Sequence, residues 1–283
     1  MRKFELMKKI VLLLFVLLSF GATVWATEPV KILAIGNSFS ADAVEEHLSD
    51  LARAEGLDVI IYNMYIGGCS IERHVKNLRE NIPDYKCRQI DVDGNKIEVK
   101  EYTLERALAD EDWDYISVQQ SSPLSGLPES YALLPELVTF IRERVPEDAV
   151  IMFHETWAYA KDSKHKAFVN YDKDQMKMFN AILAAVKQET AKVGITLVIP
   201  AGVAIQNGRT SSVLGDDLTR DGYHLAKPHG RYVAACTWLD AVLGVNPVGN
   251  TYCPDGMTPK ECKAAQKAAH NAVKKPYKIS KIK

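Results

Sequence analysis

The chain has 283 residues, with 35 basic and 36 acidic side chains, a formal net charge of −1 and 47% hydrophobic residues. That balance gives no electrostatic footprint for nucleic acid or for an acidic membrane surface, and the length suffices for one large domain with a substantial core. The five cysteines, Cys69, Cys87, Cys236, Cys253 and Cys262, show no Cys-x-x-Cys spacing, so no zinc site is expected.

At the N-terminus, Arg2, Lys3, Lys8 and Lys9 precede an apolar run from Ile10 to Phe20, followed by Val24-Trp25-Ala26. A basic flank, an apolar stretch too short to span a bilayer and small residues at its end describe a secretory signal peptide. Residues 1–26 are therefore the expected leader. The remainder is expected to be exported, to the periplasm or beyond the cell, without stable membrane insertion. In an oxidising compartment, Cys253 and Cys262, close in sequence and outside the expected sheet, are expected to form a disulfide, leaving Cys69 a buried free thiol.

After the leader, short β-branched runs alternate with longer amphipathic stretches, the pattern of a parallel sheet covered by helices on both faces. Strands are predicted at Val30–Ile35, Val59–Tyr62, Tyr115–Val118, Ala149–Phe153 and Ile195–Ile199. Helices are predicted around Asp42–Ala54, Ile71–Arg79, Leu133–Arg144, Asp174–Val193 and Pro228–Leu243. Met176, Phe179, Ile182, Leu183 and Val186 recur at helical spacing and read as a core stripe. Residues 88–102 alternate polar and apolar around Asp93-Gly94, which predicts an inserted β-hairpin. The main domain is expected over 27–250, with 251–283 as an appendage whose Lys-rich end after Lys274 is frayed.

In an open parallel sheet, reactive groups collect at the carboxyl ends of the strands. The first strand runs into Gly36-Asn37-Ser38, where the serine is placed either as a helix N-cap or as a nucleophile. Near the far end, Asp221-Gly222-Tyr223-His224 lies in a Gly-containing turn. Its spacing can set a carboxylate against an imidazole that takes a proton from Ser38, or it can simply cap the next helix. After the second strand comes Gly67-Gly68, after the third Gln119-Gln120, and after the fourth His154-Glu155-Thr156-Trp157-Ala158-Tyr159. Trp157 and Tyr159 fit a stacking surface for a sugar ring or plugs in the core. His154 and Glu155 lack a third ligand at metal spacing.

Taken together, these blocks resemble the SGNH (GDSL-like) hydrolase superfamily over about Val30 to Leu243. Gly36-Asn37-Ser38 is similar to its Gly-Asp-Ser nucleophile block, Gly68 to its oxyanion glycine, and Asp221 with His224 to its Asp-x-x-His block. The third block departs, because the usual Gly-x-Asn-Asp is replaced by Gln119-Gln120-Ser121-Ser122; the paired glutamines resemble those of a bacterial subgroup of the superfamily. The resemblance implies a three-layer α/β/α flavodoxin-like sandwich with a central parallel sheet of about five strands. It further implies a serine esterase with catalytic Ser38, Asp221 and His224, and an oxyanion hole of Ser38, Gly68 and Gln120 or Gln119. Neither cofactor nor metal is expected, and the expected partner is a small-molecule or glycan ester, with acetyl on carbohydrate favoured. A lipid or thioester hydrolase and an inactive glycan-binding protein are the alternatives.

Overall fold

The computed structural model describes residues 28–283, so the leader segment lies outside the described residues. Strand β1 (Val30–Gly36) is apolar on both faces, with Ile32, Leu33, Ala34 and Ile35 all buried, as a strand covered from both sides must be. It pairs in parallel with β2 (Val59–Tyr65) and with β5 (Tyr115–Val118). Beyond β5 come β6 (Val150–His154) and β7 (Leu197–Ile199), also parallel. The order is β4-β3-β2-β1-β5-β6-β7. Counting only the five parallel strands, it is 2-1-3-4-5, the doubly wound flavodoxin-like arrangement. The chain reverses its direction of winding at β1, so loops leaving its carboxyl end and those of β2 and β5 open a crevice there.

The hairpin β3 (Tyr85–Ile90) and β4 (Lys96–Tyr102) is an extension of this sheet, antiparallel along β2. Its turn is built on Asp91, whose side chain accepts from the Asp93 and Asn95 amides. The outer strand β4 is largely exposed and charged, which blocks further pairing at that edge.

Helices α1 (Ser38–Val44) and α2 (Leu48–Ala54) occupy the stretch expected as one helix, and the first begins at the serine itself. In α3 (Ile71–Arg79) the buried Ile71, His74, Val75 and Leu78 follow helical spacing, and Ser70 caps the start by accepting from the Arg73 amide. The chain continues through α4 (Leu104–Ala109), α5 (Leu134–Arg142), α6 (Gln175–Lys192), α7 (Ala201–Gly208), α8 (His229–Leu243) and α9 (Pro259–Lys274). Helix α7 is buried on every side, so it has no amphipathic period to betray it in the sequence.

The C-terminal region is bound more tightly than its sequence suggested. A Thr258–Glu261 capping box starts α9, and Ala264, Ala265, Ala268, Ala269 and Ala272 form a small-residue stripe in the core, against α7 and α8. Cys253 and Cys262 are joined by a disulfide, and Cys69, Cys87 and Cys236 are buried free thiols. The lysine-rich end is held down as well. Ser280 donates its amide to Asn207 Oδ1, Ile282 donates to Thr210 Oγ1, and the Ile282 side chain is 6% exposed. Removing residues 275–283 is therefore expected to cost about 2 kcal/mol of stability, the value of burying one large aliphatic side chain. Urea unfolding of the truncated chain checks this, and an unchanged midpoint would mean the tail contributes nothing.

Candidate active site

The first strand ends at Gly36, where a Cβ would collide with the Ser40 side chain and crowd Gln119. The N-cap of α1 is Asn37, whose Oδ1 accepts from the Phe39 amide at 2.9 Å and from Gln119 Nε2 at 2.8 Å. Its Nδ2 donates to the Cys69 carbonyl at 2.9 Å, tying the Gly67-Gly68 turn to the nucleophile loop. An aspartate could accept but not donate, so the neutral amide suits this position. With capping assigned to Asn37, the Ser38 hydroxyl is released for other work.

That hydroxyl lies 2.9 Å from His224 Nε2, and His224 Nδ1 lies 2.7 Å from Asp221 Oδ2. The other oxygen, Asp221 Oδ1, accepts from the backbone amides of His224 at 2.8 Å and Tyr223 at 3.2 Å. Burial alone would raise the Asp221 carboxyl, but hydrogen bonds from the His224 ring and these amides outweigh it and hold the group below its ordinary range. An ionised carboxylate on Nδ1–H leaves Nε2 to accept the Ser38 proton.

The turn is fastened to α1 through Asp42, one helical turn beyond Ser38. Its carboxylate is 1% exposed and accepts from Arg220 Nη1 at 3.1 Å, Arg231 Nη2 at 2.5 Å and the Leu225 amide at 2.7 Å. Arg220 in turn donates to the Leu225 carbonyl at 2.5 Å, while its amide donates to the His224 carbonyl at 2.9 Å. The clamp thus grips the acid/base turn from both sides. Nothing in the sequence joins Asp42 to Arg220, which stands 178 positions away.

Residues 31–272 match the family model described as a domain of unknown function, DUF4886. The chain belongs to the DUF4886 family. It is similar to the crystal structure of a DUF4886 family protein from Bacteroides uniformis ATCC 8492, at 54% identity and a TM-score of 0.89, covering 90% of this chain and 100% of that one. Far more distant are Axe2, an acetylxylan esterase from Geobacillus stearothermophilus (14% identity, TM-score 0.48, covering 75% of this chain and 93% of that one), and LAE5, an alpha/beta hydrolase from the metagenome of Lake Arreo, Spain (14%, 0.44, 75% and 94%). No curated protein matches the sequence.

In this DUF4886 chain, several residues expected at the site are engaged elsewhere. Gln120 is buried, with Nε2 donating to the Ser130 carbonyl at 2.8 Å and hydroxyl at 3.1 Å while Oε1 accepts from the Ile71 and Ser121 amides. Both its donors are occupied, so it is a brace between β5 and α3 and leaves none for an oxyanion. Gln119 donates to Asn37 instead, holding the N-cap. The amides of Ser38 and Gly68 have no acceptor among the described residues, and Gly68 is exposed with φ +65, a conformation that suits glycine.

The aromatic rim is likewise corrected, because Trp157 and Tyr159 are fully buried. Trp157 stacks on Phe39 at 4.2 Å and donates from Nε1 to the Tyr223 carbonyl at 2.7 Å, bridging α1 to the 221–224 turn. The Tyr159 hydroxyl meets Ser122 Oγ at 3.0 Å. The aromatic residue that does reach the surface beside His224 is Tyr223, with ring centroids 4.1 Å apart. His154 and Glu155 lie inside the core. Burial pushes the His154 imidazole down to about 3 and the Glu155 carboxyl up to about 8.

Two outcomes follow. Asp42→Asn leaves the Arg220 guanidinium without its carboxylate and Arg231 with Glu46 alone, and is expected to lower stability by about 3 kcal/mol, as breaking a buried pair does. Chemical denaturation measures this, and a change within error would show the clamp to be idle. Glu155 holds its proton in the folded state until about pH 8, whereas unfolded it releases it near 4.5. Its contribution is complete below pH 4.5 and is lost as pH rises to about 8. Melting temperatures across that window are expected to fall more steeply for the parent than for Glu155→Gln; parallel curves would show Glu155 ionised in the fold.

Proposed function

We propose that this protein is an exported serine esterase of the SGNH type that releases small acyl groups, acetyl above all, from carbohydrate. The observation that carries the reading is the continuous chain Asp221–His224–Ser38, at 2.7 and 2.9 Å. Export is supported by the leader-like residues 1–26. Among the described residues, no helix is long and apolar enough to cross a membrane.

In the proposed reaction, Ser38 Oγ attacks the ester carbonyl carbon while His224 Nε2 takes its proton. The carbonyl oxygen becomes an alkoxide, which the free amides of Ser38 and Gly68 stabilise as donors. The protonated His224 returns the proton to the leaving alcohol oxygen as the C–O bond breaks, leaving the acyl group on Ser38. Water, deprotonated by His224, then attacks that acyl carbon. Collapse of the second tetrahedral intermediate releases the acid and restores the serine. Asp221 orients the imidazole and stabilises its cation throughout.

A short acyl group suits the surroundings. Of the exposed large hydrophobic residues among those described, Val92, Ile97 and Met176 lie off the loops bearing Ser38, Gly68 and His224. Among the described residues, those loops carry none of the exposed large hydrophobics, and a long acyl chain calls for an apolar lining.

The test is acetate release from para-nitrophenyl acetate and acetylated xylo-oligosaccharides. Ser38→Ala and His224→Ala are each expected to lower kcat by on the order of 10⁶-fold, and Asp221→Asn by about 10⁴-fold. Gln120→Ala should lower the melting temperature while leaving kcat within about threefold of the parent, because removing a true oxyanion donor costs about 10²–10³-fold. Ser38→Ala with activity within about tenfold of the parent would sink the serine mechanism, and glycan binding without turnover would favour an inactive site.

A further inference from the structure

Between the buried aromatic loop after β6 and the start of α6, residues 161–173 form one wall of an open cleft of about 440 Å³, large enough for a sugar unit. The cleft is lined by Lys161, Ser163, Lys164, His165, Lys166 and Lys173, with Val169 the one apolar and Asp162 the one acidic residue of the lining. It abuts the catalytic turn directly. The Ala160 amide donates to the Gly222 carbonyl at 2.8 Å, and Ser163 packs against Gly222, whose φ of +88 and lack of a Cβ permit the approach. The His165 ring lies 4.8 Å from that of Tyr223, which is 4.1 Å from His224. One aromatic ring therefore separates the cleft from the general base.

The charge in this cleft is not neutralised locally. Lys161 reaches Asp216 at 3.6 Å with both groups exposed, a contact of little strength. Lys164, Lys166 and Lys173 have no carboxylate within ion-pair distance among the described residues. Neighbouring acids are committed elsewhere, Asp172 to Lys177 and Asp174 to the cap of α6. In a chain of net charge −1, several unpaired lysines around a concave surface at the rim of the site form a seat for negative charge.

We propose that this cleft binds an anionic sugar, so that the esters hydrolysed at Ser38 are carried by acidic glycans, whether the charge is a uronate carboxylate or a sulfate. The inference rests on the esterase reading, and it adds the substrate class. The ester-bearing unit sits over Ser38, and the charged unit lies across Tyr223 among the lysines.

The experiment pairs kinetics with binding, using the parent and the double variant Lys164→Ala/Lys166→Ala. On acetylated polygalacturonate, the double variant is expected to lose about tenfold in kcat/KM through KM, with the loss shrinking as salt is added. Hydrolysis of para-nitrophenyl acetate should be unchanged, as should that of acetylated xylan. Calorimetry with unacetylated oligogalacturonate, dextran sulfate and xylo-oligosaccharide reads the cleft without turnover. Lysine-dependent binding of oligogalacturonate or of dextran sulfate supports the proposal and identifies which charge is read. Equal binding of all three, or acidic ligands bound equally by parent and variant, overturns it. If the parent hydrolyses no ester yet binds an acidic ligand through these lysines, the esterase reading fails and the acidic-sugar site stands.

Discussion

The arrangement depends on one buried carboxylate. Ser38 and His224 are brought within a hydrogen bond of each other across 186 positions of chain, and a loop alone cannot hold that distance against its own entropy. Asp42 supplies the fixed point. It stands on the same short helix as the nucleophile and takes two guanidiniums and an amide from the acid/base turn and the helix after it. Because the carboxylate is almost wholly excluded from water, releasing the turn would strip it of Arg220 and the Leu225 amide, an outcome far less favourable than parting an exposed ion pair.

A second consequence concerns how the proposed anion-stabilising pocket would be assembled without the expected asparagine. The side-chain amides near the nucleophile form a supporting layer: Gln119 holds Asn37, Asn37 holds Cys69, and Gln120 braces the β5 end against α3 and Ser130. Asn37 and Gln120 each use donor and acceptor together, which a carboxylate cannot do, while Gln119 contributes its donor alone. Their effect is to fix two backbone N–H groups, those of Ser38 and Gly68, with no acceptor of their own among the described residues. Donors fixed in advance need no reorganisation when charge develops.

Much of the sheet was legible in the sequence, because parallel strands buried on both faces are short unbroken apolar runs and Val30, Val59 and Tyr115 begin them plainly. The turn at 221–224 was legible for a similar reason, since its chemistry is local. What could not be read was anything depending on which side of a surface a residue falls. Trp157 and Tyr159 looked like a rim because they follow a strand end, yet both are buried, the Trp157 ring filling the space between α1 and the 221–224 turn and Tyr159 packing against Phe168 and Tyr223. Helix α7, lacking an exposed face, was not among the predicted helices, and the last residues looked frayed although the Ile282 side chain is buried. The pairing of Asp42 with Arg220 left no trace in spacing or composition.

The distribution of charge separates the groups proposed to move protons from those held in one state by burial. His154 and Glu155 follow the strand next to β5, close enough in sequence to Trp157 to be mistaken for site residues, but burial keeps the imidazole neutral and the carboxyl protonated near neutral pH. Neither presents a charge that would compete with Asp221 for the imidazolium formed on His224. Asp221 is itself only partly covered, with its side chain 39% exposed. Its charge is held by three hydrogen bonds from its own turn. A carboxylate stabilised by local N–H groups stays ionised at the rim, where substrate must arrive and water must enter. A buried one, like Asp42, needs full counter-charges and can serve only as structure.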